Sequence, residues 1–160
     1  MITAQIGLVP ASANWGSYVV QWVAPSAYTH AVIAVNETVC WSYEPGREGA
    51  RLRPISDYPG VVWSRFRYTR EQRRIIVEYA YRMIGARYGW ADYLLTGLSL
   101  ITHVSSAARV GRQDRTVCSQ AAVNALRIAG ITLQLGGRTR VATPADLGRY
   151  WHEQGWATTS

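Results

Sequence analysis

Lysine is missing from this chain of 160 residues: all seventeen basic side chains are arginines. They are scattered, Arg47, Arg51, Arg53, Arg65, Arg67, Arg70, Arg73 and Arg74 among them, with no unbroken basic run and no zinc-finger spacing. That pattern gives no ground for a specific nucleic-acid partner. Ten acids leave a net charge of +7, which implies a general attraction to anionic surfaces: nucleic acid, an acidic polymer or a membrane surface of anionic lipid. Cysteine is also scarce. Two cysteines exclude a disulfide framework, and neither has the paired spacing of a zinc site, so no metal and no organic cofactor is expected. No stretch reaches the roughly 18 uninterrupted apolar residues of a membrane span. The opening MITAQIGLVPASANWG lacks a basic leader followed by an apolar block, so a secretory signal is not expected. A cytoplasmic protein, or one released by lysis or carried in a virus particle, fits. Repeats, low-complexity tracts and linkers are absent too, and one domain over residues 1–160 is the expectation.

What is present reads first as strands and then as helices. SYVVQWV, from about 17 to 23, is apolar and β-prone, and APSAY resets the chain before a strand over 29–35. Asn36-Glu37-Thr38 is a polar break suited to a tight hairpin, VCWSYE returns as the next strand, and Pro45-Gly46 ends it. REGARLRPISDYPG reads as loop with at most one short strand, and VVWSRFRY alternates like a half-buried strand. At Thr69 the period changes. Thr69 and Gln72 form a capping-box signature, and Ile75, Ile76, Tyr79, Ala80 and Met83 recur on one helical face until Gly85. Residues 88–101 are apolar and aromatic, a helix or part of a lid, and HVSSAARVGRQDRT is a polar connector. A helix from Val117 or Cys118 to Ala129 stops at Gly130, and Thr143-Pro144-Ala145-Asp146 opens a short helix over 144–152. Further strands within 131–142 complete an α+β arrangement.

Chemistry concentrates at Cys118. Placed at the start of a helix, its sulfur meets unpaired amides and the positive end of the helix dipole, which favour the nucleophilic thiolate and could also hold an oxyanion. Ala122, Ala125, Leu126 and Ala129 share its stripe, and small residues there let the helix lie close to a sheet. From that side Cys118 can reach a strand histidine, the nucleophile and base pairing of a thiol hydrolase. The plainer reading is a small buried hydrophobe. His30 heads the aliphatic run YTHAVIAV and shares a strand face with Val32 and Ala34. A three-residue loop at Asn36–Thr38 sets Glu44 opposite His30, whereas a two-residue loop sets Tyr43 there. Glu44 is the candidate to orient the ring, with Ser42 behind it. Cys40, between Val39 and Trp41, reads as a packing residue, and His103 and His152 as surface groups.

YTHAVIAV, then SYEPG, GARYGW and TVCSQAAVNAL together resemble the circularly permuted branch of the NlpC-like, papain-fold cysteine hydrolases, the YaeF/YiiX type, related to the lecithin:retinol acyltransferase-like proteins. In that branch the histidine strand precedes the cysteine helix. The resemblance spans roughly residues 15–150, and its best match is the cysteine helix, where Cys-Ser-Gln stands in place of the Cys-Ser-Glu of many relatives. It implies an antiparallel sheet packed against the helix that bears the nucleophile. Cys118 would then be nucleophile, His30 base and Glu44 the third polar member, with Tyr28, Ser119, Tyr88 and Trp90 as further oxyanion or substrate candidates. Members act on peptide-type amides or on acyl esters through an acyl-enzyme.

Two other readings stand beside a thiol hydrolase. Trp90, Tyr93, Leu94, Leu95, Leu98 and Leu100 could form an apolar lip for a lipid acyltransferase or lipid hydrolase at a membrane surface. A basic binding module or virion component could equally use the fold without the reaction.

Overall fold

Antiparallel pairing around one buried strand organises the computed structural model, which describes residues 2–11, 27–43, 49–85, 118–135 and 142–156. Five strands, β1 (Ile6–Pro10), β2 (Tyr28–Ala34), β3 (Val39–Tyr43), β4 (Ala50–Pro54) and β5 (Val62–Trp63), lie in the order β4-β3-β2-β1-β5. A single 3-10 turn, Ile55–Asp57, follows β4. Three α-helices complete the described residues: α1 (Arg70–Arg82), α2 (Cys118–Ile128) and α3 (Pro144–Glu153). The architecture is α+β, as the order of patterns implies. None of these helices is long and apolar enough to cross a membrane.

The middle strand has no solvent face over Ala31–Ala34, all fully buried. This explains the unbroken aliphatic run, because a strand covered on both sides needs no polar alternation. On one face Ala31 and Ile33 join Ile6, Leu8, Trp41 and Tyr43 in the main core, where Ile76, Ala122, Leu126, Leu147 and Trp151 of the three helices cover them. On the other face Val32 and Cys40 pack with Tyr58, Val9, Ile55, Val61 and Trp63. The alanines of α2 allow it to lie directly on β2, since a bare methyl permits close approach of backbone to sheet. Truncating Leu126 in that contact costs about 2–5 kcal/mol.

Turn chemistry sets the β2–β3 register. Asn36 Oδ1 accepts from the amides of Thr38 (2.9 Å) and Val39 (2.8 Å), and Val35 N–H donates to the Val39 carbonyl, closing a three-residue loop. The resulting pairs are Val32 with Ser42, Ile33 with Trp41 and Ala34 with Cys40. Of the two loop lengths, this is the one that assigns Glu44 to His30; Glu44 itself lies outside the described residues.

The capping box anticipated at Thr69 is formed, and the Thr143 start of α3 proves to be a second one. Thr69 accepts from Gln72 N–H and donates its own amide to Gln72 Oε1, and Thr143 and Asp146 do the same at α3, with Pro144 in the first turn. Gly85 and Gly130 follow α1 and α2 with positive φ (81° and 78°), the backbone state that ends a helix without a Cβ penalty.

Other expectations change. β1 was not anticipated, because IGLVP is short, contains Gly7 and ends in proline. VVWSRFRY is a regular strand only at Val62–Trp63; beyond it Ser64–Thr69 has no ladder of its own. Residues 131–135 are likewise without strand, whereas the described part of REGARLRPISDYPG, 49–60, holds one short strand, β4, as expected. The strand expected over 17–23, the segment 88–101 and the connector after it lie outside the described residues.

Candidate active site

A β-bulge opens the site. Val9 pairs with His30 but Pro10 pairs with Tyr28, so Thr29 is the extra residue and the strand twists there. On one side of it, Tyr28 packs its ring on Gly148 of α3, where an added Cβ would stand 2.7 Å from Tyr28 Cδ2. Partial burial raises the Tyr28 phenol above its ordinary range, which keeps the hydroxyl protonated at neutral pH. On the other side His30 follows the face of Val32. Its Nε2 lies 2.9 Å from Ser42 Oγ, and its ring is tilted against Tyr58 with centroids 5.9 Å apart.

Ser42 is fully buried and links two partners. The Tyr58 hydroxyl donates to Ser42 Oγ at 2.5 Å, at the short end for an O–H···O bond. Tyr58 is held in place by the turn that follows β4, where its amide donates to the Ile55 carbonyl. Three elements, β2, β3 and this turn, therefore form a line Tyr58–Ser42–His30. An oxygen with two lone pairs can accept from both neighbours, and an imidazolium would donate Nε2–H to it. With that proton on Nε2, Nδ1 is the basic nitrogen of the ring.

Cys118 stands at the first residue of α2 as expected, in the main core and 5% exposed. Burial pushes its thiol up from the ordinary value, the larger effect, while the amides of Ala31, Ser119 and Cys118 itself pull it down. The Ala31 contribution has a topological cause. Val35 N–H points to β3, so alternate residues of β2, Ala31 included, direct their amides the same way. The β2–β3 pairs begin at Val32 with Ser42, and the Ala31 amide meets the sulfur instead. That amide belongs to the peptide joining His30 to Ala31.

The next two residues of α2 brace the site. Ser119 Oγ donates to the Ala142 carbonyl (2.7 Å), and the Ala142 amide donates to Gln120 Oε1 (2.9 Å), so both backbone groups of Ala142 are held just before α3. Gln120 Nε2 reaches Asn124 Oδ1 at 3.0 Å. The Ser119 hydroxyl is thus engaged in structure, and its backbone amide is what acts on the Cys118 thiol.

The expected partners Cys118 and His30 approach one peptide from two faces of β2. The sulfur lies in the helix-side core and the ring on the side of Tyr58. Ser42 holds the ring, the residue placed second to Glu44 by sequence reasoning. Tyr58 escaped that reasoning altogether, since a tyrosine in ISDYPG carries no catalytic spacing. Cys40 is buried packing, with its thiol donating to the Arg53 carbonyl at 3.6 Å, and His152 is exposed. Glu44, Tyr88, Trp90 and His103 lie outside the described residues. Among the described residues no group of three or more His, Cys, Asp or Glu side chains could hold a metal ion. No protein-family model and no curated protein matches this chain.

Proposed function

We propose that the chain is a cysteine hydrolase with a permuted papain-like fold, acting on a peptide-type amide or an ester. The observation that carries the reading is the seating of Cys118 at the first residue of α2, buried in the core that also holds Ala31, the neighbour of His30 on β2. The order of a histidine strand before a cysteine helix, and the packing of that helix on the sheet, support the fold assignment. At rest burial keeps Cys118 a thiol. Attack therefore needs a base, and His30 Nδ1 takes the proton while Ser42, backed by Tyr58, accepts from Nε2–H. The transfer has to cross β2, because the ring lies on the Tyr58 side of the strand and the sulfur on the helix side. The thiolate forms a bond to the carbonyl carbon, and the amides of Cys118 and Ser119 are the donors placed to hold the oxyanion. Collapse breaks the bond to the leaving group, which departs with the proton from His30. Water, deprotonated by the same ring, then releases the acid and regenerates the thiol.

A second reading, a binding module that keeps the fold without the reaction, draws support from the burial of the sulfur and the separation of ring and sulfur on two faces. One experiment decides between them. The wild type, Cys118→Ala and His30→Ala are treated with amide, ester and thioester electrophiles, and the adduct is located by mass spectrometry. The hydrolase reading expects labelling at Cys118 that falls on the order of 100-fold in His30→Ala. Labelling of Cys118 that is indifferent to His30, or labelling of Cys40 alone, sinks it.

A further inference from the structure

A groove of about 690 Å³ runs along the β5 edge of the sheet, far from the cysteine in sequence and built from a different set of residues. Its wall is the extended segment that the sequence pattern presents as a strand. Gln5, 6% exposed, supplies the missing rungs: its Oε1 accepts from Phe66 N–H (3.2 Å) and its Nε2 donates to the Phe66 carbonyl (2.8 Å). Oε1 also accepts from Ser64 Oγ at 2.6 Å, and Ser64 N–H bonds the Ile6 carbonyl at 2.8 Å. A side-chain amide thereby copies a peptide, and the segment stays extended past the end of β5. In that conformation Ser64 and Tyr68 turn inward while Arg65 and Arg67 turn out, spaced by two residues or about 6.6 Å.

These guanidiniums are positioned for an external anion. Neither Arg65 nor Arg67 makes an ion pair among the described residues, and no Asp or Glu of the described residues lines the groove. By contrast Arg74 is clamped between Glu71 and Glu78 on α1. Arg73 adds charge to the same groove, anchored by the Thr3 carbonyl (3.1 Å) and lying over the Tyr68 ring at 5.9 Å. Beside the charges stand half-buried aromatic rings: Trp63, and Phe66 against Trp156 edge-to-face with centroids 4.6 Å apart. An acidic peptide or polymer would use the arginines and leave the rings idle. A flat lipid surface would not enter a groove. A chain that carries phosphates at regular intervals and planar bases between them uses both features.

We propose that this groove binds single-stranded nucleic acid without regard to sequence, with phosphates on Arg65 and Arg67 and bases against Trp63 and Trp156. Nothing in this proposal rests on the hydrolase reading. The test is fluorescence anisotropy of the full chain with a labelled oligothymidine of about ten nucleotides, alongside intrinsic tryptophan quenching. The comparisons are dextran sulfate and vesicles of anionic lipid. Expected results are tryptophan quenching by the oligonucleotide alone, and weakening by roughly tenfold or more in Arg65→Gln/Arg67→Gln at low salt. The slope of log affinity against log salt should fall by about 1.4, two phosphate contacts for a single strand. Trp63→Leu serves as a second variant that keeps the charge and should lower quenching and affinity together. Three results overturn the proposal: equal binding of dextran sulfate or vesicles, an unchanged slope in the double arginine variant, or binding without quenching. Circular dichroism of each variant establishes that it is folded before binding is scored.

Discussion

The line Tyr58–Ser42–His30 can be tested as a unit by a double-mutant cycle. Tyr58→Phe removes one donor but leaves Ser42 Oγ its contact with His30, so the cost is that of one buried hydrogen bond, about 0.5–1.5 kcal/mol. Ser42→Ala takes the acceptor away from both Tyr58 and His30 in a fully buried position, and the expected cost is about 1–3 kcal/mol. In the double variant the Tyr58–Ser42 bond can be lost only once. The two changes should therefore fall short of additivity by on the order of 1 kcal/mol. The assay is urea unfolding of the four proteins at one pH, with the slope m unchanged across the set so that midpoints report stability. If the costs add to within about 0.3 kcal/mol, the 2.5 Å contact is not an energetic link and Tyr58 cannot steady the ring through Ser42.

Two further outcomes follow from the packing. Gly7→Ala should destabilise by about 1–3 kcal/mol in the same unfolding assay, because its Cβ would stand 2.6 Å from Val61 Cγ2, 2.8 Å from Trp63 Cζ3 and 2.9 Å from Val32 Cγ2; a neutral result would mean that the contact of β1 with the Val61–Trp63 segment is loose. The thiol of Cys118 gives a pH dependence: its folded-state ionisation is raised above the ordinary 9.0, so its contribution is fully present below pH 9.0 and is lost as pH rises through the folded value. Tyr28, Tyr68 and Tyr79 are raised from 10.0 and act the same way only at higher pH, so between 9 and 10 the wild type should lose stability faster than Cys118→Ala. Parallel stability curves for the two proteins in that window would contradict a buried, protonated thiol.

The hairpin was legible because its determinants are local. Asn36 dictates the loop, the loop dictates the register, and the aliphatic run dictates burial. The same holds for α1 and α3, whose capping boxes lie within four consecutive residues. What was not legible is held by partners distant in the chain. β1 is a strand because β2 and β5 flank it, and Gly7 within it serves Val61 and Trp63 rather than any turn. Ser64–Tyr68 alternates like a strand, yet its rungs come from the side chain of Gln5 about sixty residues earlier. The grouping of His30 with Val32 and Ala34 was correct, but alternation alone does not say which group faces α2. Both faces of β2 are apolar, so the pattern lacks the polar side that would orient it.

The two cysteines differ in what surrounds the sulfur. Both are buried, small and set among apolar neighbours, and burial alone would make them equivalent. Their polar surroundings are opposite. The sulfur of Cys40 faces a carbonyl, the Arg53 oxygen, which rewards a hydrogen on sulfur; at Cys118 backbone amides partly offset the burial that raises its thiol. A sheet has no structural need to leave the Ala31 amide to a thiol when the strand beside it offers carbonyls, and a helix N-terminus adds two more donors at the same atom. Burial by itself asks only for a small apolar side chain at position 118, and the neighbouring Ala121, Ala122 and Ala125 meet that demand with a methyl group. The backbone amides near its sulfur are what distinguish position 118 from those alanines, and the proposed nucleophile rests on them.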